Sequence, residues 1–468
     1  MTWETAMATC DLVIVGAGPA GMGAAVEARE RGLSVMVLDE QAGPGGQIYR
    51  GIEDHAANFT RLGTDPSKGL DLAQRLRRSG AHYQSVASVW FITPDGEIAY
   101  SVNGRAQRIT AQRVLLATGA IERPCPLPGW TLPGVMTAGA AQILLKSAGV
   151  ACPDAVFAGS GPLLYLAAAQ YVRRGVPVRA VLDTTPAKHY LRAAGQWRSA
   201  LGGFAYLRQG WDLLRQLRQA GVPIIHGVTG LHALGQNQLE SIQFQRRRRW
   251  QTLDDVSGLF LHQGVVPNIQ AALVAQCDRS WDERAQCWRI VTDAFGRTSQ
   301  PAIYLAGDAA AITGATCAPM RGRLAALAIA HALGRIDAGR FQTEAQHLRR
   351  QLQRDAAVRP FLETLYQPAA TFTAPPDLET VVCRCEEVRA REIRGFLQAG
   401  GRDPNQFKSG HRCGMGPCQG RMCALTLGHL MSAHADDGTM AGALRIRPPI
   451  VPVPFAELAS LVDDEGMR

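Results

Sequence analysis

The chain has 468 residues, of which 46% are hydrophobic, so its length suits two to four domains with ordinary cores. This composition excludes wholesale disorder, and no run approaches the roughly twenty apolar residues that a membrane-spanning helix needs. The net charge of +9 would suit nucleic acid, but no nucleic-acid-binding motif accompanies it, so we assign the charge to the surface and to attraction of cofactors or partners.

The N-terminal part carries a glycine-rich turn. Residues 11–15 (DLVIV) predict a buried strand that ends in GAGPAG, and an alanine-rich helix follows. The first glycine of such a turn permits a tight bend, the second lets the backbone approach a pyrophosphate, and the third allows close helix–strand contact. A second strand leads to an acid 23 residues after Gly16, where it would accept hydrogen bonds from ribose hydroxyls. The predicted dinucleotide-binding residues are Gly16, Gly18, Pro19, Ala20, Gly21, Asp39 and Glu40.

Two further motifs resemble those of the flavoproteins with two dinucleotide-binding domains, the thioredoxin and glutathione reductase type. The GGQ segment at 45–47 resembles the one that passes beside the flavin in that family. The ATG segment at 117–119 resembles the point where the chain leaves the flavin domain, and a proline-rich linker follows. The resemblance implies FAD rather than NAD at the first site. It adds Gly45, Gly46, Gln47, Ala117, Thr118 and Gly119 to the predicted site.

A second glycine turn opens the middle of the chain. The strand AVFAG leads into GSGPLL, in which Leu164 stands at the position of the third glycine. Because a leucine side chain obstructs close contact between helix and strand, Leu164 argues against nicotinamide binding. Asp183, 24 residues after Gly159, still permits a ribose contact. The sequence therefore leaves open whether NAD(P), ATP or no nucleotide binds here.

Two segments of the middle domain bear on its surface. Residues 196–221 predict a helix whose tryptophans 197 and 211 and leucines 207, 213, 214 and 217 form a core-facing stripe. The four arginines at 246–249 predict a solvated hairpin tip. Docking of an acidic partner or of a nucleotide phosphate is the alternative for these arginines.

The second flavin motif lies after the middle domain. GVVPN at 264–268 resembles the element near the return to the flavin domain. In AIYLAGDAA at 302–310, a strand is followed by Gly307 and Asp308. The resemblance assigns this acid to the ribitol or the adjoining phosphate of FAD. After GAGPAG and ATG, this motif makes FAD the predicted cofactor.

Five of the eleven cysteines lie between residues 383 and 423. Thiols packed so densely in a chain without an export signal favour a metal centre over disulfides. Four thiolates can hold a 2Fe-2S cluster, and Cys383 and Cys385 offer one pair. Two of Cys413, Cys418 and Cys423 offer the other, and equal spacing does not choose between them. A four-thiolate zinc site is the alternative, although zinc knuckles use CxxC more than CxC.

This cysteine segment resembles the domain of bacterioferritin-associated ferredoxin, in which CxC is followed after a little over thirty residues by a final cysteine pair. The 32 residues between Cys385 and Cys418 and the wording GMGPCQGRMC fit that pattern. The resemblance implies a 2Fe-2S cluster on Cys383, Cys385, Cys418 and Cys423, with Cys413 as the spare. Nearby N–H groups and positive charge would raise its potential. The candidate charges are Arg384, Lys408, Arg412 and Arg421.

These motifs predict an α/β fold class, a two-dinucleotide-binding-domain flavoprotein with a small helical 2Fe-2S domain. Residues 1–125 and 270–345 are expected to form a discontinuous FAD-binding domain around a middle, NAD(P)-binding-like domain at 126–269. A helix and linker at 346–376 lead to the ferredoxin-like domain at 377–435. The tail at 436–468 contains four prolines within IRPPIVPVPF, so we expect it to be extended across a neighbouring domain or subunit.

Together the motifs span nearly the full chain and resemble the large FAD-bearing subunit of bacterial hetero-oligomeric amino-acid and opine dehydrogenases. The segment WTLPGVMTAGAAQILLK is most similar to the opine oxidase and D-hydroxyproline dehydrogenase group, and hydrogen cyanide synthase is more distant. The resemblance implies an electron-transfer subunit of an oxidoreductase acting on CH-NH groups. An opine such as octopine or nopaline, or D-hydroxyproline, would be dehydrogenated on a partner β subunit similar to D-amino-acid oxidases.

The resemblance also allows a small γ subunit with another iron-sulfur cluster and an FMN at a subunit interface. We expect the hetero-oligomer to be cytoplasmic, since the N-terminus lacks a basic start and an apolar segment, with peripheral association with the inner membrane left open. No residues resemble a general base for amine oxidation, so no catalytic residue is predicted. The alternative functions are a self-contained NAD(P)H-dependent flavin reductase that feeds a ferredoxin-like partner, and an iron-handling interaction module.

Overall fold

The chain's computed structural model describes residues 9–63, 65–433 and 440–466. Its first part alternates strands and helices and ends in a three-stranded antiparallel extension. The elements are β1 (Thr9–Val15), α1 (Pro19–Glu30), β2 (Val35–Leu38), α2 (Ile52–Arg61), α3 (Ser67–Arg78), β3 (His82–Gln84), β4 (Ser88–Ile92), β5 (Glu97–Val102), β6 (Arg105–Leu116) and β7 (Ala120–Glu122).

The middle part repeats the alternation and inserts three antiparallel strands. Its elements are β8 (Val135–Thr137), α4 (Ala138–Ser147), β9 (Ala155–Ser160), α5 (Pro162–Arg173), β10 (Val178–Asp183), α6 (Ala187–Ala194), α7 (Trp197–Gly202), α8 (Phe204–Gln219), β11 (Ile224–His226), β12 (Val228–Leu234), β13 (Ser241–Arg246), β14 (Arg249–Asp254), β15 (Leu259–Gln263), β16 (Val265–Pro267) and α9 (Gln270–Val274).

The last part returns to the first sheet and then becomes largely helical. Its elements are β17 (Arg279–Asp282), β18 (Cys287–Ile290), β19 (Ile303–Leu305), a 3-10 turn (Gly307–Ala309), α10 (Ala318–Ala332), α11 (Ala338–Ala356), α12 (Arg359–Leu365), α13 (Ala370–Thr373), β20 (Val381–Cys383), β21 (Val388–Arg389), α14 (Ala390–Gln398), α15 (Pro404–His411), α16 (Ala424–Ser432) and α17 (Phe455–Gly466).

Two sheets organise the α/β part, as the sequence predicts; the second is parallel, and the first is parallel except for the antiparallel strands β4 and β5. The first has the order β3-β2-β1-β6-β5-β4 with β19 beside β6, and the second has the order β11-β10-β9-β15-β8. Leu12, Val13 and Ile14 of β1 are all fully buried, because Leu12 and Ile14 pack in a core with α1 and α10 and Val13 packs in a second core with β4, β5 and α9. The chain crosses between the sheets twice, through the antiparallel pair β7 and β16. Strands from residues 9–116 and 303–305 thus share the first sheet.

The cysteine segment lies in a small helical unit built from β20, β21 and α14 to α16. Its core includes Phe407, Ile393 and Leu427, each fully buried, together with three of the cysteines. Trp130 of the proline-rich linker donates its indole N–H to the carbonyl of Val381, at 2.7 Å. The unit is therefore hydrogen-bonded to the linker that leads into the middle domain.

The predicted helix at 196–221 forms, but its tryptophans do not face the core. The helix is divided at Gly203 into α7 and α8, and Leu213 and Leu217 are buried as expected. Trp197 is 56% exposed and Trp211 is 64% exposed, so the prediction was wrong for both. The error arose because aromatic residues were assumed to belong to the apolar stripe although they lie on the outer side of the helices.

The arginines at 246–249 lie at a hairpin tip, as predicted. β13 and β14 pair with Arg246 opposite Arg249, and the two central residues, Arg247 and Arg248, have φ values of 49° and 65°. Both residues are exposed. This left-handed geometry matches the right-handed twist of the two flanking strands.

The C-terminal tail is extended only as far as Pro454. Ile450 is buried, and its N–H donates to the carbonyl of Trp90 on β4, at 3.0 Å. Beyond the last proline the chain forms α17, where the Ser460 hydroxyl accepts a hydrogen bond from Ala106 N–H. The expectation of a wholly extended tail was wrong, because all four prolines precede residue 455 and none interrupts the helix. No helix within the described ranges has the length and apolar character needed to cross a membrane.

Helix α10 packs unusually closely on α1, which yields a stability prediction. A Cβ atom at Gly322 would lie 1.9 Å from the carbonyl oxygen of Ala20. We expect Gly322→Ala to destabilise the protein by about 1–3 kcal/mol through overpacking and to lower its melting temperature by several degrees. The matched control is Gly395→Ala on α14, where a Cβ atom meets nothing within 4 Å and helix propensity favours alanine. Equal melting temperatures for the two variants in thermal unfolding would contradict this packing.

Candidate functional site

The first glycine turn has the geometry that a dinucleotide requires. Gly16 adopts a φ of 103°, and a Cβ atom there would lie 2.6 Å from the carbonyl oxygen of Ala117. A Cβ atom at Gly21 would lie 1.9 Å from the carbonyl oxygen of Gly16, so both positions require glycine. At Gly18, in contrast, a Cβ atom would meet only the Cα atom of Gly46, at 3.8 Å. The turn therefore leaves room for a phosphate at the N-terminal end of α1.

The GGQ segment lies against this turn. Gly45 donates its N–H to the carbonyl of Ala17 at 2.9 Å. Gly46 has a φ of 58°, and a Cβ atom there would lie 2.9 Å from the Cα atom of Gly18. Gln47 is exposed at the edge of the same segment. Two glycine-rich segments distant in sequence thus form one wall of the candidate site.

Asp39 follows β2 and points back to the turn. It is 6% exposed, one carboxylate oxygen accepts from the N–H of Ala17, and the other accepts from the N–H of Gln41 at 2.7 Å. Burial raises the pKa of Asp39, and the two N–H donors act in the opposite direction. Glu40 beside it is exposed. The acid is therefore held where an adenosine ribose would lie in this kind of turn.

The ATG segment is bonded to the second crossing of the chain. The Thr118 hydroxyl donates to the carbonyl of Asn268 at 2.8 Å, and Asn268 N–H donates to the carbonyl of Gly119 at 3.0 Å. These bonds join ATG to the GVVPN element. The predicted motifs at 117–119 and 264–268 thus meet at the junction of the two sheets.

The GD motif reaches the same site from the other side of α1. Gly307 has a φ of 66°, and a Cβ atom there would lie 2.7 Å from the Cβ atom of Ala20. One oxygen of Asp308 accepts from the N–H groups of Thr313 and Gly314, at 2.9 and 3.2 Å. The acid therefore orders the turn before α10 and has a second oxygen available for a ligand.

Three buried polar atoms without a hydrogen-bond partner test whether FAD fits. They are Arg50 Nε, Thr313 Oγ1 and Arg321 Nε. Arg50 hydrogen-bonds Gln41 beside Asp39, and Thr313 bonds Asp308, so two of these atoms flank the two predicted acids. Buried polar atoms are normally paired, so orphans at both ends of the site fit a polar ligand such as FAD. Sequence reasoning missed all three, since no motif marks them.

The second glycine turn is filled by protein side chains. A Cβ atom at Gly161 would lie 3.3 Å from the imidazole ring of His262, whose Nδ1 is 2.6 Å from Glu122 Oε1. Asp183 is fully buried, and its carboxylate contacts His226 Nδ1 at 2.7 Å and the Tyr190 hydroxyl at 3.2 Å. Its other oxygen accepts from a backbone N–H. The acid that would bind a ribose is thus buried and covered by the side chains of His226 and Tyr190.

The structure brings all five cysteines of the C-terminal segment into two adjoining groups. Cys383, Cys413 and Cys423 are buried, and their sulfur atoms all lie within 4.8 Å of one another. Cys385 and Cys418 are more exposed and hydrogen-bond each other. The compact group of three therefore contains Cys413, whereas two of the four predicted ligands form the outer pair.

One thiolate is stabilised inside this group. Hydrogen bonds from Cys413 and then from Cys423 hold the pKa of the Cys383 thiol far below its usual range. The N–H groups of Gly414 and Glu386 also donate to this sulfur. The pKa values of the other two thiols are raised by their interaction with Cys383. A thiolate with thiols around it is the donor set of a metal or iron-sulfur site, and metal binding would displace the remaining protons.

The four basic residues that were predicted to lie near the cluster have different surroundings. Arg412 pairs with Glu386 at 2.8 Å, and Arg384 lies over the ring of Trp130 at 5.1 Å. Arg421 donates to the carbonyls of Cys418 at 3.2 Å and Ile450 at 3.0 Å, and burial lowers its pKa while Cys418 and Glu40 act in the opposite direction. Lys408 is half-buried near Cys423 and Cys413. Two of the four candidates therefore remain available to the sulfur group.

Comparison with known proteins identifies the class. The sequence pattern of the pyridine nucleotide-disulphide oxidoreductase family matches residues 10–186. The fold is similar to that of L-proline dehydrogenase from P. horikoshii, with a TM-score of 0.69 and 20% identity over 96% of this chain and 79% of that chain. The fold and the first site thus define an oxidoreductase of the FAD-binding type with two dinucleotide-binding domains.

Full-length relatives identify the family. The A subunit of opine oxidase from Agrobacterium tumefaciens (strain Ach5) is 42% identical, covering 96% of this chain and 92% of the relative. Hydrogen cyanide synthase subunit HcnB of Pseudomonas aeruginosa is 33% identical, covering 96% of this chain and 98% of the relative. The chain belongs to the family of opine oxidase A subunits, as the motifs implied. The relatives are named as subunits, which indicates a hetero-oligomeric assembly.

A first site prediction concerns Asp39. We expect Asp39→Ala to lower flavin retention five- to a hundredfold. The reason is that removal of a buried, charged hydrogen-bond acceptor costs about 1–3 kcal/mol of binding free energy. Glu40→Gln, a change at the exposed neighbour, should retain flavin. The ratio of visible to ultraviolet absorbance after desalting measures retention. Full flavin occupancy in Asp39→Ala would contradict this role.

A second site prediction separates the five cysteines. If the 2Fe-2S ligands are Cys383, Cys385, Cys418 and Cys423, a serine at any of them removes most of the roughly two iron atoms per chain in protein prepared without air. Cys413→Ser then keeps its iron. The measurements are iron and zinc content and the electron paramagnetic resonance signal after reduction. Iron loss in Cys413→Ser but not in Cys418→Ser would move the ligand set to the compact group, and zinc in place of iron would exclude the cluster.

Proposed function

We propose that this chain is the FAD- and 2Fe-2S-bearing electron-transfer subunit of a hetero-oligomeric dehydrogenase that oxidises a secondary amine or amino acid. FAD is held by the turn at 16–21, Asp39, the GGQ and ATG segments, and Asp308. The cluster is held by Cys383, Cys385, Cys418 and Cys423. FAD exchanges electrons in pairs or singly, and the cluster exchanges them one at a time, which suits a relay.

The observation that carries this proposal is a contact between the flavin part of the chain and the cysteine unit. Gln270, at the start of α9 in the flavin part, donates its side-chain amide to the carbonyl of Gln419 at 2.6 Å. Gln419 lies next to Cys418 in the chain, and Arg421 donates to the carbonyl of Cys418 and interacts electrostatically with Glu40. A thiol group joined by hydrogen bonds to a dinucleotide site suits transfer of electrons within one chain.

We assign the oxidation of the amine substrate to a partner subunit. The histidines at 189, 226, 262, 331 and 347 do not converge on one another: His226 pairs with Asp183, His262 pairs with Glu122, and His331 stacks on Phe341. The relatives named as opine oxidase subunits support an opine as substrate. We propose octopine or nopaline, with D-hydroxyproline as the alternative that the sequence resemblance implies. We assign its dehydrogenation to a β subunit similar to D-amino-acid oxidases, with an interfacial FMN and a γ subunit as further components.

The environment of Asp183 separates this proposal from a self-contained NAD(P)H-dependent flavin reductase. Asp183 is fully buried against the side chains of His226 and Tyr190, which a nicotinamide nucleotide's ribose would have to displace. Leu164 is fully buried at the helix of the same turn. Both features support a relay that receives electrons from another subunit.

We expect NADH and NADPH to leave the flavin of the purified chain oxidised during anaerobic mixing. Octopine, nopaline or D-hydroxyproline should bleach it only when the co-expressed partner is present. Stopped-flow absorbance near the visible flavin maximum measures both reactions, and dithionite reduction serves as the positive control. Rapid bleaching by NADH would establish the reductase instead, and a chain purified without flavin would favour an iron-handling module.

A further inference from the structure

One surface of the middle domain concentrates exposed apolar side chains. Thirteen large hydrophobic residues of the described chain are exposed, and five of them lie within residues 190–211. The four most exposed of these five are Leu191 at 79%, Phe204 at 69%, Trp211 at 64% and Trp197 at 56%. Contiguous exposed apolar residues of this size mark interaction sites more often than isolated ones do.

Arginines interleave with these aromatic residues. On α8, positions 204, 208, 211 and 215 follow a spacing of four, three and four, which places Phe204, Arg208, Trp211 and Arg215 on one side of the helix. All four are exposed. We call the surface formed by Phe204, Arg208, Trp211, Arg215 and Arg218, which this spacing places on one side of α8, the aromatic–arginine face.

The opposite side of α8 is firmly attached. Leu213 and Leu217 are buried in the core that surrounds α5. Gln216 bridges to α5, accepting from Arg173 Nε at 3.0 Å and donating to the carbonyl of Ala169 at 3.3 Å. The aromatic–arginine face is therefore the outer side of a well-packed helix and not a segment that could turn inward.

The charge of this face is strong and unpaired. Residues 187–219 contain six basic side chains and one acidic side chain, a net +5 within a chain of net +9. None of the three arginines of the face forms an ion pair within the described ranges. Tryptophan and arginine are also the side chains that contribute most often to binding hot spots between proteins.

The face lies next to the second flavin motif. Tyr206, on the inner side of α8, donates to Asp355 on α11, and the Cys317 thiol donates to the same carboxylate at 2.9 Å. Cys317 directly precedes α10. Arg359, which pairs with Asp355 at 3.6 Å, also donates to the carbonyl of Thr313 in the turn that Asp308 orders. A protein bound to this face would thus sit close to the flavin site.

We propose that the aromatic–arginine face is the docking surface for the substrate-oxidising partner subunit, and that the partner presents an apolar patch with an acidic rim. This rests on the proposed function, which requires such a partner. A second copy of this chain fits less well, because a two-fold interface would place the unpaired arginines against one another. Arginine and aromatic residues also suit single-stranded nucleic acid, which the experiment tests as a separate outcome.

The partner is first obtained as the flavoprotein that co-purifies with the tagged, full-length wild-type chain. Its identity is established by bleaching of its flavin with octopine, nopaline or D-hydroxyproline. Absence of any such flavoprotein would contradict the proposed function itself, before the face is tested. With an identified partner, affinity is measured at two salt concentrations for the wild-type chain and for variants that retain flavin and thermal stability.

Two paired changes test the face: Phe204→Ser with Trp211→Ser, and Arg208→Glu with Arg215→Glu. Each pair should raise the Kd for the partner at least about tenfold, and the arginine pair should act mainly at low salt. The matched controls lie at the β13–β14 hairpin: Trp250→Ser, a change at a tryptophan that is 46% exposed, and Arg247→Glu with Arg248→Glu. The controls should stay within about threefold of the wild-type Kd.

Three results would overturn the docking surface while leaving the proposed function intact. The first is equal affinity of both test pairs and the wild-type chain for the partner. The second is a homodimer of the wild-type chain, seen by analytical ultracentrifugation, that the test pairs dissociate without weakening the partner complex. The third is loss of single-stranded oligonucleotide binding in the test pairs with the partner complex unchanged.

Discussion

Close contact between helices α1 and α10 is the constraint on which the flavin-type site depends. At Ala20 the backbone of α1 meets Gly322 of α10, and the side chain of Ala20 meets Gly307 of the GD turn. Without a side chain at these glycines, the first turn and the GD turn can lie side by side. Two segments almost three hundred residues apart can therefore face one ligand, and every other element of the first site is arranged around this contact.

The cluster of Cys383, Cys413 and Cys423 depends on a different interaction, the hydrogen bonding of one thiolate. Burying several sulfurs together stabilises one thiolate only because neighbouring thiols and N–H groups donate to it. The remaining thiols become harder to ionise, and a bound metal ion would displace their protons. Hydrogen bonds from Gln270 and the position of Arg421 then hold this group against the flavin part of the chain. The same contacts that stabilise the small unit also set the two sites next to each other.

The middle domain repeats the architecture of the first sheet, but protein side chains fill the space where a nucleotide would bind. Its glycine turn and the acid after β10 repeat the pattern of the first sheet, but His262 fills the space beside Gly161, and His226 and Tyr190 occupy Asp183. The domain's outward helices instead carry unpaired arginines and aromatic residues. The physical features of this domain thus suit contact with a macromolecule more than capture of a nucleotide.

The order of strands and glycines was sufficient to predict the α/β class, and the resemblance of the motifs along the chain was sufficient to predict the family. These features depend on local spacing: a strand, a tight turn and a helix determine where a phosphate can approach. Spacing also located the cysteine segment, but it could not group the five sulfurs, because the positions of Cys413 and Cys418 depend on how the loop folds back on Cys383. Helical periodicity likewise located α8 without deciding which side faces inward. Only the tertiary structure decided that Trp211 is exposed, that α17 forms beyond Pro454, and that Asp183 is buried against His226 and Tyr190, since each depends on neighbours contributed by distant parts of the chain.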